Sequence, residues 1–579
     1  MGAGAPDIGY VSDAFAEVLR RFDLPYISLN PGASYRGLHD SIVNYLGNER
    51  PQMIVCLHEE HAVAIAHGYA KVTERPMAVA LHSNVGLMHA TMALFNAWCD
   101  RVPMLAIGAT GPLDAAERRP WIDWIHTSAD QGALIRSYVK WDDQPLSAQA
   151  GVDALARAAQ LTQTYPPAPV YVCLDAALQE ARLQPGLALP DPDRHQPPPP
   201  PAPPVESVKA AAALLGRAQR PLILVGRVAR GTTEWEARVR LAERVGACVL
   251  SDLKVGAGFP SAHPLHPVTP GTFLTEAGRA LVASADTVLA LDWVDFAGTL
   301  RQAHGAVGAP ATVISCSLDH TLHNGWSKDH FEPVAADVSV AAHPDAFVAE
   351  LERALGEHTG ARQGWPPPRA ETAPSGDGLT MRRLAAALLA ALADRASCLV
   401  RLPLGWDGAD LHVRHPLDYL GQDGGAGLGS GPGMAVGAAL ALAGSGRLPV
   451  AVLGDGDLLM GASALWTAAH YRLPLLVLVA NNRSFFNDEV HQERVAVARG
   501  RAAENRWIGQ HIRDPDPDLA ALARSLGLDG HGPVEDEDAL ERVLATAVER
   551  AVAGGAVLVD VRVSAQGYPG GPGQSRGKA

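Results

Sequence analysis

Cysteine is scarce: six in 579 residues, with no CxxC pair among them. That excludes a disulfide scaffold and a thiolate zinc knuckle. Cys56, Cys99, Cys173, Cys248, Cys316 and Cys398 lie mostly in apolar runs and read as buried thiols in a reducing compartment. No apolar run is long enough to span a bilayer, and the opening MGAGAPDIGYVSDAF lacks the regions of a signal peptide. A cytoplasmic protein with no membrane partner is the expectation. Basic residues are outnumbered 62 to 48, and the net charge of −14 argues against nucleic acid as a partner. Local basic residues still permit a phosphorylated substrate. With 47% hydrophobic and 19% charged residues, the chain has ample material for a globular core.

Two proline-rich breaks divide the chain, 190–204 with five consecutive prolines and 356–378 with Pro366-Pro367-Pro368. They leave an α/β block at 1–189, a second at 205–355, a third at 379–563 and a glycine-rich tail at 564–579. In each block short apolar strands alternate with amphipathic helices, the pattern of a doubly wound, Rossmann-like fold. No internal repeat is visible.

The most informative stretch is LGDGDLLMGASALWTAAHYRLPLLVLVANNRSFFN, starting at Leu453. A buried parallel strand over 448–453 ends in Gly454-Asp455-Gly456, a helix follows, and a second buried strand over 473–480 ends in Asn481-Asn482. Asp455 and Asn482 are 27 positions apart, one strand-helix-strand crossover, so both reach the same carboxyl edge of a sheet. Their carboxylate and amide oxygens suit one hard cation. The plainer alternative is an Asp helix cap and an Asn-Asn turn.

This stretch resembles the diphosphate-anchoring motif of thiamine-diphosphate (ThDP) enzymes. The resemblance covers nearly the whole chain and implies pyrimidine-binding, central and diphosphate-binding domains in that order. It implies Mg²⁺ on Asp455, Asn482 and the Ser484 carbonyl, with Gly454, Gly456, Asp457, Phe485 and Phe486 around the cofactor. In the first block, strands at 25–29, 52–57 and 76–81 end in Asn30-Pro31-Gly32, in His58-Glu59 and in His82. Glu59 stands where a strand turns into a helix, so a partly buried carboxyl with a raised pKa is expected. HEEHAVAIAHGYA looks like the family's glutamate segment, in which that carboxyl hydrogen-bonds N1′ of the aminopyrimidine and favours the imino tautomer. Two other readings stand beside it, a helix-start carboxylate and a zinc set of His58, His61 and His67.

His82 occupies the place of a histidine in benzoylformate decarboxylase-like relatives, where it would bond a substrate oxygen or move a proton. Asn30, Pro31 and Gly32 look like a loop approaching the pyrimidine or substrate. The run GGAGLGSGPGMAVG at 424–437 permits close cofactor approach, and Leu428 matches the apolar wedge that bends the cofactor. In the central block, Arg227, Ser317 and Asp319 sit at strand ends where relatives carry ADP, FAD or nothing. ADP as a bound activator and a purely architectural domain are both open, since no GxGxxG is present.

FFNDEVHQE and the basic tail look most like the actinobacterial 2-hydroxyacyl-CoA lyases. That likeness implies cleavage of a 2-hydroxyacyl-CoA, such as 2-hydroxyisobutyryl-CoA, to formyl-CoA and a ketone or aldehyde. Glu493 would face the substrate, and Ser575, Arg576 and Lys578 would meet coenzyme A under a closing tail; the alternative for that tail is disorder. A 2-oxo acid decarboxylase or carboligase of the benzoylformate decarboxylase or acetolactate synthase type, or an oxalyl-CoA decarboxylase, is the competing activity. The family places the glutamate and the diphosphate site on different subunits, so a homodimer at minimum, and a homotetramer as the usual assembly, is expected.

Overall fold

A computed structural model describes residues 8–305, 311–319, 334–357, 360, 365, 378–393 and 395–564. The expected coenzyme A residues Ser575, Arg576 and Lys578 lie outside the described residues, as does most of the second proline-rich break. The described chain forms three parallel sheets flanked by helices, the three doubly wound layers that the alternation implied.

The first sheet comprises β1 (Tyr26–Leu29), β2 (Gln52–Val55), β3 (Ala78–Leu81), β4 (Met104–Thr110), β5 (Asp142–Asp143) and β6 (Pro169–Asp175). Its order is β2-β1-β3-β4-β6-β5. The second holds β7 (Pro221–Val225), β8 (Cys248–Leu250), β9 (Thr287–Leu291), β10 (Thr312–Cys316) and β11 (Val338–Val340), ordered β11-β10-β9-β7-β8. The third holds β12 (Ser397–Arg401), β13 (Leu448–Gly454), β14 (Leu475–Asn481), β15 (Asp529–Val534) and β16 (Ala556–Arg562), ordered β12-β13-β14-β16-β15. Every residue of β3, β4, β6, β7, β9 and β14 is buried, because helices cover both faces of each sheet. The strands at 104–110, 338–340, 529–534 and 556–562 extend the sheets beyond the strands read from sequence.

The order β2-β1-β3 means that the chain leaves β1 in one direction and returns on its other side. That reversal opens a crevice at the carboxyl end of β1, where α/β sheets hold ligands. The 190–204 break runs extended apart from one turn at Pro192–Arg194, as its prolines require.

The first and third sheets meet through two helices, Glu59–Thr73 and Gly431–Leu442, which pack closely along their lengths. Glycines permit that approach. A methyl group on Gly68 would strike the Met434 carbonyl, and one on Gly437 would strike the Ile65 carbonyl and sit 2.8 Å from the Tyr69 amide nitrogen. On Gly433 it would meet the Ala64 methyl at 2.6 Å. Farther back in the same run, Gly425 abuts Asn96 and Phe95, and Gly427 abuts Met92. Much of the glycine-rich run therefore serves protein packing, where close cofactor approach was expected. Leu428, the expected wedge, is half-buried within it.

Candidate active site

Each polar strand end named from the sequence lies on the carboxyl edge of its sheet. In the third domain, Asp455 opens the helix after β13 and is 4% exposed. Its Oδ2 accepts the Ser484 amide at 3.1 Å, and Asn482 Oδ1 accepts the same amide at 2.9 Å. One N–H thus gathers the two side chains expected to share an ion. Burial pushes the Asp455 carboxyl up to about 6, although the Gly456 amide also bonds it at 3.1 Å. A buried carboxylate whose given partners are backbone amides fits a group that would bind a cation.

Other features fit the same group. A Cβ on Gly454 would point into open space, whereas one on Gly456 would lie 2.5 Å from the Phe485 ring. The first glycine leaves a cradle and the second accommodates the phenyl ring. Arg483 turns the loop after β14 in the left-handed region at φ 59°, and its amide bonds Asn481 Oδ1 at 3.1 Å. Asn481 itself faces β16, where its amide bonds Asp560 at 2.8 Å.

Asp457 does different work from that expected of it. Its Oδ1 accepts the Gly429 amide at 2.7 Å, and Oδ2 lies 3.5 Å from Arg401, which pairs with Asp423 at 3.0 Å. This buried trio pins the glycine-rich loop; a diphosphate would find Asp457 an anion already engaged. Phe486 is buried as the first residue of the Phe486–Ala498 helix.

In the first domain, Glu59 is the first residue of its helix, capped by His58, whose Nδ1 accepts the Glu60 amide at 3.2 Å. Glu59 is 4% exposed. Burial raises its pKa, but hydrogen bonds from His89 and Asn30 outweigh that cost, so the carboxyl titrates below its ordinary value. The expectation of a raised pKa is corrected on this point. His89 Nδ1 lies 3.0 Å from Glu59 Oε2, and nitrogen or oxygen atoms of His58, Glu59 and His89 fall within 4.8 Å of one another. The alternative zinc set is not the one assembled: His67 is fully buried and bonds Asp100 at 2.8 Å.

His82 caps the Ser83–Cys99 helix from the end of β3. Ser34 Oγ accepts the Ser83 amide at 3.0 Å and stands 2.9 Å from His82 Nδ1, and the Ser34 amide donates to the same nitrogen at 3.4 Å, so Nδ1 is the accepting nitrogen. The network thereby assigns the ring proton to Nε2. Burial, with His126 packed edge-on at 4.9 Å, lowers the His82 pKa and keeps the ring neutral near pH 7. Gly32 is required by this ring, since a Cβ there would sit 2.6 Å from Nδ1. Pro31 is exposed beside it, and Asn30 turns its side chain to Glu59.

Two groups of expected residues are committed elsewhere. Glu493 pairs with Arg506 at 2.8 Å, while Glu489, one turn earlier and 4% exposed, takes Ser484 Oγ, Arg506 and His511. Glu489 thus ties down the loop that carries Asn482 and Ser484, and Glu493 faces a cation of its own chain. In the central domain, a cavity of about 350 Å³ opens at the ends of β7, β9 and β10. There Arg227 lies 3.0 Å from Asp292 and 3.2 Å from Asp319, Ser317 Oγ is 2.5 Å from Asp292 Oδ1, and Arg101 reaches Asp319 from the first domain. The three residues expected to meet a nucleotide are engaged by this network, which gives no support to bound ADP.

His89, Ser34, His126 and Glu489 were not singled out from the sequence. His82, Gly86 and His89 follow an i, i+4, i+7 spacing that marks one helix face, so a signal for His89 was present. Ser34 and His126 arrive through loop folding and carried none.

Comparison with known proteins agrees with the geometry. Residues 10–134 match the N-terminal TPP binding domain of thiamine pyrophosphate enzymes, 208–343 the central domain, and 406–561 the C-terminal TPP binding domain. The chain is 25% identical to benzoylformate decarboxylase of Pseudomonas aeruginosa, over 92% of this chain and 96% of that one. It is 24% identical to the acetolactate synthase large subunit of Parasynechococcus marenigrum, over 97% and 89%. Among solved structures, benzoylformate decarboxylase from Polynucleobacter necessarius superposes with a TM-score of 0.79 at 19% identity, covering 96% of this chain and 98% of that one. A 4-hydroxybenzoylformate decarboxylase from Rhodococcus jostii gives 0.76 at 21%, covering 96% and 99%.

Proposed function

Because the chain belongs to the thiamine-diphosphate-dependent enzymes, we propose that it is a 2-oxo acid decarboxylase whose active site is completed by a second copy of itself. The observation that carries the substrate reading is His82: a neutral ring, held at Nδ1 by Ser34, on the strand edge that also bears Glu59. Bound ThDP supplies the carbon nucleophile and the electron sink for such a reaction. Glu59 offers a buried carboxylate to the pyrimidine, and His82 donates from Nε2 to the substrate carbonyl oxygen as negative charge grows there. Asp455, Asn482 and the Ser484 carbonyl would hold Mg²⁺ against the diphosphate.

The relatives named as decarboxylases and acetolactate synthases support this class. Nothing comparable supports the coenzyme A lyase: its tail residues lie outside the described chain, and Glu493 is held by Arg506. Assay of benzoylformate, pyruvate and a 2-hydroxyacyl-CoA side by side tests the choice. CO₂ release from a 2-oxo acid, dependent on ThDP and Mg²⁺, is expected. Formyl-CoA from the thioester, with no CO₂ from either acid, would overturn the reading. Glu59→Gln should lower turnover by about 10²-fold or more with folding intact.

The second copy is supported by an apolar surface beside Glu59. Val85, Met88 and Met92, on the Ser83–Cys99 helix, are 36–57% exposed, and Leu57 is 47% exposed. The polar partners given above for Glu59 all belong to the first domain, and those of Asp455 to the third. No described helix is long and apolar enough to cross a membrane. Six free thiols, five of them buried, suit the reducing cytoplasm.

A further inference from the structure

Three imidazoles gather at the start of the Glu59–Thr73 helix. His89 and His58 stack with ring centroids 4.8 Å apart and planes at 22°, and His61 lies 5.3 Å from His58. His58 is held by its cap to the Glu60 amide, so it gives the half-exposed His89 ring a fixed platform. From that platform His89 Nδ1 meets Glu59 Oε2 at 3.0 Å. On the other side Gly86 keeps the space clear, since a Cβ there would lie 3.1 Å from Glu59 Oε1. His89 grips the carboxylate at Oε2, and Gly86 leaves room beside Oε1.

We propose that His89, braced by His58, is a positioning residue that holds Glu59 as an anion in the orientation the pyrimidine requires. The inference rests on Glu59 being the activating carboxyl of the proposed function. Burial alone would favour the neutral acid and keep the proton on Glu59; stabilising the anion lets that proton pass to N1′ and leaves the carboxylate to accept the N1′–H bond. The other titratable neighbours do not replace His89. Burial lowers His58 and His82 and brings His61 down to about 4, so these rings are neutral at pH 7, while Tyr35 is pushed up and keeps its proton. Glu60 turns toward Gly429 and feels Asp457. The N–H groups of His89 and Asn30 therefore carry the stabilisation of the anion.

The test compares His89→Leu with His89→Asn, whose Nδ2–H can occupy the place of the histidine Nδ1–H. In cofactor-free protein labelled with ¹³C-glutamate, difference infrared spectra against Glu59→Gln isolate the Glu59 carboxylate band. His89→Leu should raise its titration midpoint by about one pH unit, and Asn should restore it. In the loaded protein, hydrogen–deuterium exchange at C2 of the bound cofactor should be about tenfold slower at pH 6.5 in His89→Leu, within about threefold of wild type in His89→Asn. An unmoved midpoint in His89→Leu, or equal impairment of Leu and Asn variants, would overturn the proposal. Neither readout contains a 2-oxo acid. Normal exchange without decarboxylation would therefore sink the substrate reading alone and leave the role of His89 standing.

Discussion

Replacing Asp455 by Asn in the cofactor-free protein separates what this carboxylate costs from what it does. Asp455 is 4% exposed, and burial lifts its pKa from an ordinary 3.8 to about 6. That rise corresponds to about 3 kcal/mol of stability withheld from the folded protein once the group is ionised. The sign follows from the folded pKa lying above the unfolded one. Below about pH 4 both states are protonated and no penalty exists; it grows between pH 4 and 6 and is complete above 6. Asparagine never ionises and escapes the penalty. Its NH₂ cannot accept, however, so the Gly456 or Ser484 amide loses a partner, at about 1 kcal/mol. Asp455→Asn should therefore be more stable than wild type by about 2 kcal/mol at pH 8 and less stable by about 1 kcal/mol at pH 4. Urea midpoints of the cofactor-free proteins at the two pH values measure this directly. Adding Mg²⁺ and ThDP at pH 8 should reverse the order, because only the wild-type site gains a cation to neutralise. A difference of one sign at both pH values, or wild-type cofactor affinity in the variant, would refute the reasoning.

Three further outcomes follow from the geometry. Mixing inactive Glu59→Gln and Asp455→Asn chains under conditions of subunit exchange should recover about one quarter of wild-type turnover, since one of the two sites in each mixed dimer is intact; no recovery would argue that each chain builds its own site. Gly437→Ala places a methyl group against the backbone of the Glu59–Thr73 helix and should cost about 1–3 kcal/mol, read as a lowered thermal midpoint with the cofactor absent. Arg227→Ala strips a partly buried cation from Asp292 and Asp319 and should destabilise by about 2–3 kcal/mol, while ADP should leave the wild-type melting temperature unchanged; an upward shift with ADP would revive a nucleotide site in the central cavity.

The fold class was legible because its signals are local. Apolar strands buried on both faces, amphipathic helices between them and two proline-rich breaks specify three doubly wound layers wherever they occur. The separation of Asp455 and Asn482 was equally readable, since a strand-helix-strand crossover of that length returns both ends to one sheet edge. Edge strands such as 338–340 and 529–534 were missed because three or four pairings, rather than a marked pattern, define them.

What the chain alone determined, then, is the layered architecture, set by periodicity, the convergence of Asp455 and Asn482 on one sheet edge, set by spacing within one crossover, and the likeness of that stretch to a known cofactor-anchoring motif. The tertiary structure decided everything that depends on who stands next to whom. Glu59 titrates low because His89 and Asn30 reach it from other elements, Asp455 titrates high because the fold buries it with backbone amides for partners, and Arg227 is paired inside the protein by Asp292 and Asp319. Charge and hydrogen bonding act over a few ångströms of space, and residues that are neighbours there are tens or hundreds of positions apart along the chain.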